Sequence, residues 1–168
     1  MDVRFVNAFV GSIVQVFKTM MKTTVTVGKP VLKQDRLVSS DVSAVIEMSG
    51  DAQGCVAFSF PADVACKAVS RFAGAELTVE HPDLTDAVGE LANLVADTAR
   101  KEFADCNVTV APARVIVGAG HQVSRTQASP FLLFSCQTEL GAFNVEIALV
   151  NLKSSAGAAR RASAGAEA

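Results

Sequence analysis

"DVSAVIEMSGDAQGCVAFSFP", residues 41–61, alternates apolar and polar side chains on both sides of a Gly-containing centre. Val42, Ala44, Ile46 and Met48 share one face. Val56, Phe58 and Phe60 resume the alternation after "SGDAQG". A period of two belongs to a strand, because successive side chains point to opposite sides of a sheet. Two such runs about a short turn predict an antiparallel hairpin with one face in a core and the other wetter.

The same pattern returns near the end of the chain. "PFLLFSCQTELGAFNVEIALVNL" (130–152) predicts a second hairpin, turning near Glu139, Leu140 and Gly141. Phe143, Val145, Ile147 and Leu149 face one way, and Asn144 and Glu146 the other. "TTVTVGKPVL" (23–32) is β-branched, with Pro30 limiting its pairing. "NVTV" and "ARVIVG" form an interrupted strand pair around Pro112. Residues 33–41 and "GAGHQVSRTQA" (118–128) read as loops.

Helical periodicity occupies the intervals. Phe5, Phe9, Val10, Ile13, Val16, Phe17 and Met20 recur at spacings of three and four, predicting an amphipathic helix over 3–21. A second helix begins at Pro61 and is stopped by Gly74. After a short connection, Asp83 is expected to cap a third that runs to about Ala104. Long helices on one face of a mainly antiparallel sheet, an α+β fold, satisfy these elements. A short internal repeat supports a pseudo-twofold arrangement. Helix 3–21 leads into "TVTVGKP" and helix 83–104 into "NVTVAP", which sets Asn7 opposite Glu90 and Val10 opposite Asn93.

Composition narrows the function. The chain has 168 residues, half of them apolar, enough for one domain with a real core, expected over 1–152. A net charge of −2 with no basic run argues against nucleic acid. Residues 153–168 contain only Ala, Gly, Ser, Lys, Arg and Glu, and predict a flexible tail in which Arg160 and Arg161 are solvated charge. "FVNAFVGSIVQVF" (5–17) is too short and too polar to span a membrane, and no cleavage pattern follows it. Cys55, Cys66, Cys106 and Cys136 match no zinc spacing and read as free thiols, which suits a cytoplasmic protein. His121 lies in a Gly-rich loop without a nucleophile elbow and reads as a surface residue.

The third helix carries the chemistry. On a helical wheel Leu84, Val88, Leu91, Val95, Ala99 and Phe103 form the core face. Asp86, Glu90, Asn93 and Asp97 form a polar ridge opposite, at spacings of four, three and four. Carboxylates there are ordinary on a solvated face. Asn93 is less so, since mid-helix Asn is less stable than Ala, Glu or Lys.

"DAVGELAN" (86–93), "LVADTARKEF" after it and Pro112 downstream resemble the signature of the CheX/CheC/FliY family of chemotaxis phosphatases, most of all its CheX branch. The order of elements over about residues 3 to 152 resembles that family as well. The gap from Asn93 to Pro112 is shorter than in CheC-type members. The resemblance implies a pseudo-twofold CheC-like fold, and a protein-aspartyl-phosphate phosphatase acting on a phosphorylated CheY-type response regulator. It implies that Asn93 enters the regulator's active site and positions the attacking water. Glu90 would pair with the regulator's active-site Lys, and Asp86 and Asp97 would face the partner. It also implies a homodimer formed through the sheet, no cofactor on this chain, and Mg2+ on the regulator. A non-catalytic module of the same fold, binding a regulator or a flagellar-switch partner, is the alternative.

Overall fold

The structure is a computed structural model, and it describes residues 2–33, 40–123 and 130–153. The predicted tail beyond Lys153, most of the 33–41 loop and residues 124–128 of the 118–128 loop lie outside the described residues. In chain order the elements are α1 (Val3–Met21), β1 (Thr26–Val27), β2 (Val31–Lys33), β3 (Ser40–Gly50), β4 (Ala52–Phe60), α2 (Ala62–Ala73), α3 (Leu84–Arg100), β5 (Val108–Val110), β6 (Arg114–His121), β7 (Phe131–Thr138) and β8 (Gly141–Asn151). A single 3-10 turn, Lys101–Phe103, extends α3.

The strands form one antiparallel sheet in the order β1-β7-β8-β4-β3-β5, with β2 also on β7 and β6 also on β3. The two predicted hairpins, β3–β4 and β7–β8, supply its centre, and they join through β4 and β8. The pseudo-twofold is therefore real in the hydrogen bonding. Thr26 and Val27 pair with Gln137 and Cys136 at one edge as Thr109 and Val110 pair with Ser49 and Met48 at the other.

The core lies between the sheet and the three helices. Ile46, Val56, Val145 and Ile147 are fully buried from the sheet side, and Phe5, Phe9, Leu84 and Ala99 from the helix side. Phe103 meets Phe5 edge-on, with ring centroids 5.0 Å apart, and Phe143 stacks between Phe17 and Phe60. Burying rings of this size contributes on the order of 2–3 kcal/mol each.

Six expectations need correction, the last of them at His121. Met20 is about half exposed, and Met21 is buried in its place. A wheel gives the direction of a side chain but not where along the helix the core ends. Asp83 makes no capping hydrogen bond, and its N–H is instead donated to His81 Nδ1. The α-helix stops at Arg100, short of Ala104. Gly118–His121 belongs to β6 rather than to a loop. The face of the sheet away from the helices is drier than alternation implies: Ser43, Ser59 and Glu146 are buried there, and Val123 packs with Val45 and Ala57.

His121 belongs to that second face. It is half-buried, its Nδ1 lies 2.8 Å from the Gly118 carbonyl and its Nε2 lies 2.8 Å from Ser43 Oγ. A carbonyl only accepts, so Nδ1 donates to Gly118, while Nε2 and the Ser43 hydroxyl share the second bond. His121 closes the sheet face and is not a free surface residue.

Candidate functional site

Helix α3 forms because its apolar residues repeat on one side and its charges on the other. Leu84, Val88, Leu91, Val95 and Ala99 are buried, as the wheel requires. The opposite face is open. Asp86, Glu90 and Asp97 are exposed, and among the described residues no hydrogen bond or ion pair engages any of them. At its C-terminal end the ridge meets a groove lined by Asp97, Arg100, Lys101 and Asn107, so its charge changes sign within one turn.

Asn93 differs from its neighbours. It is half-buried, and its Oδ1 accepts the backbone N–H of Ala113 at 2.8 Å. The structure thus keeps the four ridge residues on one helix face but singles out Asn93 as the one tied to the sheet.

The local backbone explains the bond. Ala111 donates its N–H to the Glu47 carbonyl at 2.9 Å, and Arg114 pairs with Val45. Between these two pairings Pro112 and Ala113 together oppose Ile46, one residue more than the ladder can use. Pro112 has no N–H to strand, and the bulge turns the Ala113 N–H away from β3 toward α3. Ala113 escaped the reading of the sequence, where Pro112 alone was noticed. In the repeat the place of Ala113 is taken by Pro30, which has no N–H to donate.

A carboxamide on a helix surface, beside a free carboxylate one turn earlier, can orient a water and meet a cation. A carboxamide donates and accepts without gaining a proton, so it orients rather than deprotonates. Among the described residues no group of three or more His, Cys, Asp or Glu side chains gathers to hold a metal ion.

Comparison with known proteins identifies the family and the fold. The family model "Chemotaxis phosphatase CheX" matches residues 42–137. The CheY-P phosphatase CheX of Thermotoga maritima is 28% identical over 124 residues, covering 70% of this chain and 78% of that one. The structure of a chemotaxis protein CheX from Desulfovibrio desulfuricans superposes with a TM-score of 0.80 at 29% identity, covering 87% of this chain and 99% of that chain. A CheX from Borrelia burgdorferi, solved in complex with CheY, BeF3 and Mg2+, shares the fold at 18% identity, with a TM-score of 0.72 and coverage of 86% and 97%. A family model that matches more than half of the chain, from the first central hairpin through the whole of α3 and into β7, together with superposition along nearly the full fold, places this chain in the CheX family of chemotaxis phosphatases.

Proposed function

We propose that this chain is a protein-aspartyl-phosphate phosphatase for a CheY-type response regulator, with Asn93 positioning the hydrolytic water. The observation that carries the reading is the held carboxamide of Asn93 on the open face of α3, next to the exposed Glu90. The Thermotoga maritima relative is a CheY-P phosphatase, and the Borrelia burgdorferi relative binds CheY in the presence of BeF3 and Mg2+, which supports the same partner here.

The reaction needs little from this chain beyond position. Water attacks the phosphorus, the bond from phosphorus to the aspartyl oxygen breaks, the carboxylate leaves, and the proton of the water passes to the phosphate. Phosphoryl transfer depends mainly on in-line placement and charge stabilisation. The regulator would supply Mg2+ and a Lys, and Glu90 would pair with that Lys and seat the helix. Asp86 and Asp97, exposed at the rim, would steer approach more than they add affinity.

One domain over 1–152, a symmetric homodimer and a cytoplasmic setting complete the proposal. Val31 and Leu32 on the edge strand β2 are both at least half exposed, which supports pairing of sheet edges with α3 left open. The test is phosphate release from phosphorylated receiver domains of the same organism. Catalytic turnover is expected. Loss of signal only in proportion to added protein would identify a binding module instead.

A further inference from the structure

The two halves of the fold carry the same bulge with the proline in different places. In the first half Gly28 donates to the Ser135 carbonyl at 2.9 Å and Val31 pairs with Leu133, so Lys29 and Pro30 together oppose Phe134. In the second half Pro112 and Ala113 oppose Ile46. The second bulge residue is therefore Pro30 in one half, which has no N–H, and Ala113 in the other, which has one. The helix residue that faces it by the same alignment is Val10 in the first half and Asn93 in the second. Donor and acceptor are both present in one half and both missing from the other.

This pairing restricts the carboxamide. The terminal torsion of an Asn side chain is broad and roughly two-fold, so a free carboxamide samples both faces. The group is planar, and holding Oδ1 on the Ala113 N–H fixes Nδ2 on the opposite side. Among the described residues no acceptor takes up the Nδ2 protons. Pro112, with its fixed φ, limits the freedom of the peptide that presents the donor. We infer that Ala113, through its backbone N–H, is a positioning residue for Asn93: it turns Oδ1 to the bulge and presents the Nδ2 amide to the attacking water. The inference rests on the reading of Asn93 as the water-positioning residue.

Steady-state kinetics on a phosphorylated CheY-type receiver domain test it with Ala113→Pro, which removes the donor and leaves the helix untouched. The double change Pro112→Lys/Ala113→Pro reproduces the Lys29–Pro30 dipeptide that the same bulge already accommodates, and serves if the single variant does not fold. We expect kcat to fall by about tenfold or more, the scale of a misplaced reacting group. KM should stay within about twofold, because Glu90 and the docking face are unchanged. In an Asn93→Ala background the same change at 113 should have no further effect on kcat. Full kcat in a folded variant lacking the N–H overturns the inference. So does an equal fall in the Asn93→Ala background, which would mark a general structural role. A wild type that releases no phosphate overturns the phosphatase reading and the role of Ala113 with it, and is told apart because the first two outcomes require an active wild type.

Discussion

Gly89 on α3 lies directly against Val115 on β6: a Cβ added at Gly89 would sit 3.5 Å from Val115 Cγ2. Gly89 is one turn before Asn93, and Val115 is two residues past Ala113. Gly89 and Val115 therefore face each other beside the bulge that holds the carboxamide.

The first prediction follows from that spacing. A distance of 3.5 Å is ordinary van der Waals contact, and Gly89 has helical backbone, so Gly89→Ala fits without displacement. Ala is the better helix former by roughly 1 kcal/mol. Urea unfolding should show Gly89→Ala more stable by about 0.5–1 kcal/mol, with phosphate release unchanged. Gly89→Leu has no room and should lower both. A destabilised Gly89→Ala would mean that the helix sits closer to β6 than described.

Asn93→Ala should leave the fold intact, since the residue lies off the core face. The propensity gained is offset by the lost hydrogen bond to Ala113, worth about 1 kcal/mol, so stability should change little. Phosphate release should fall by roughly a hundredfold, the cost of losing a positioning group. Stopped-flow decay of phosphorylated regulator at matched concentrations measures it. Equal decay with an active wild type would remove Asn93 from the chemistry.

Glu90 is exposed and, among the described residues, unengaged, so Glu90→Ala should not affect folding. It should weaken binding of the regulator and lower turnover. The wild type should also lose more affinity than the variant as salt is raised, because a rim ion pair is screened. Calorimetric titration of a beryllofluoride-activated regulator at two ionic strengths reports both effects. Unchanged affinity and rate would exclude the ion pair.

Acid should loosen the junction of the two hairpins. Asp51 accepts from Lys153 Nζ and from the Asn107 N–H, and these bonds, the Lys153 one above all, hold its carboxyl below the ordinary value. A depressed carboxylate contributes stability that is fully present above the unfolded value of about 3.9 and is lost as pH falls through the folded value. Thermal melts should therefore drop below about pH 4, less steeply for Asp51→Asn, which should already be the weaker protein at pH 7. Parallel curves for the two proteins would contradict this.

A dimer through sheet edges places β2 at the contact. Leu32, 58% exposed, is the apolar residue to test. Sedimentation should show a dimer at micromolar concentration, and Leu32→Glu should shift it toward monomer while leaving α3 accessible. Monomer alone in the wild type would refute the assembly.

Much of the architecture was legible because periodicity reports burial directly. Alternation in 41–61 and 130–152 located both central hairpins, and the spacing of Phe5, Phe9, Ile13 and Phe17 located α1. The end of β6 was not legible. Gly120 takes φ +67°, and Gly118–His121 has no alternation of its own; the segment is strand because β3 pairs with it on either side of an irregularity, Ser40 with His121 and Val42 with Val117 just before it. Burial of Glu146 was equally hidden, since alternation names two faces but not what covers the second.

The sequence by itself determined the helix that bears the ridge, the residues on it and the likeness to a phosphatase family, because these depend on local spacing along one chain segment. Only the tertiary structure decided that Asn93 is held and that Ala113 holds it. That bond joins α3 to a bulge beyond its end, and the N–H is free for it only because the register of β5 and β6 on β3 leaves Pro112 and Ala113 opposite the single residue Ile46. Strand register is a property of the assembled sheet, set by packing on both faces, and no local pattern in either segment encodes it.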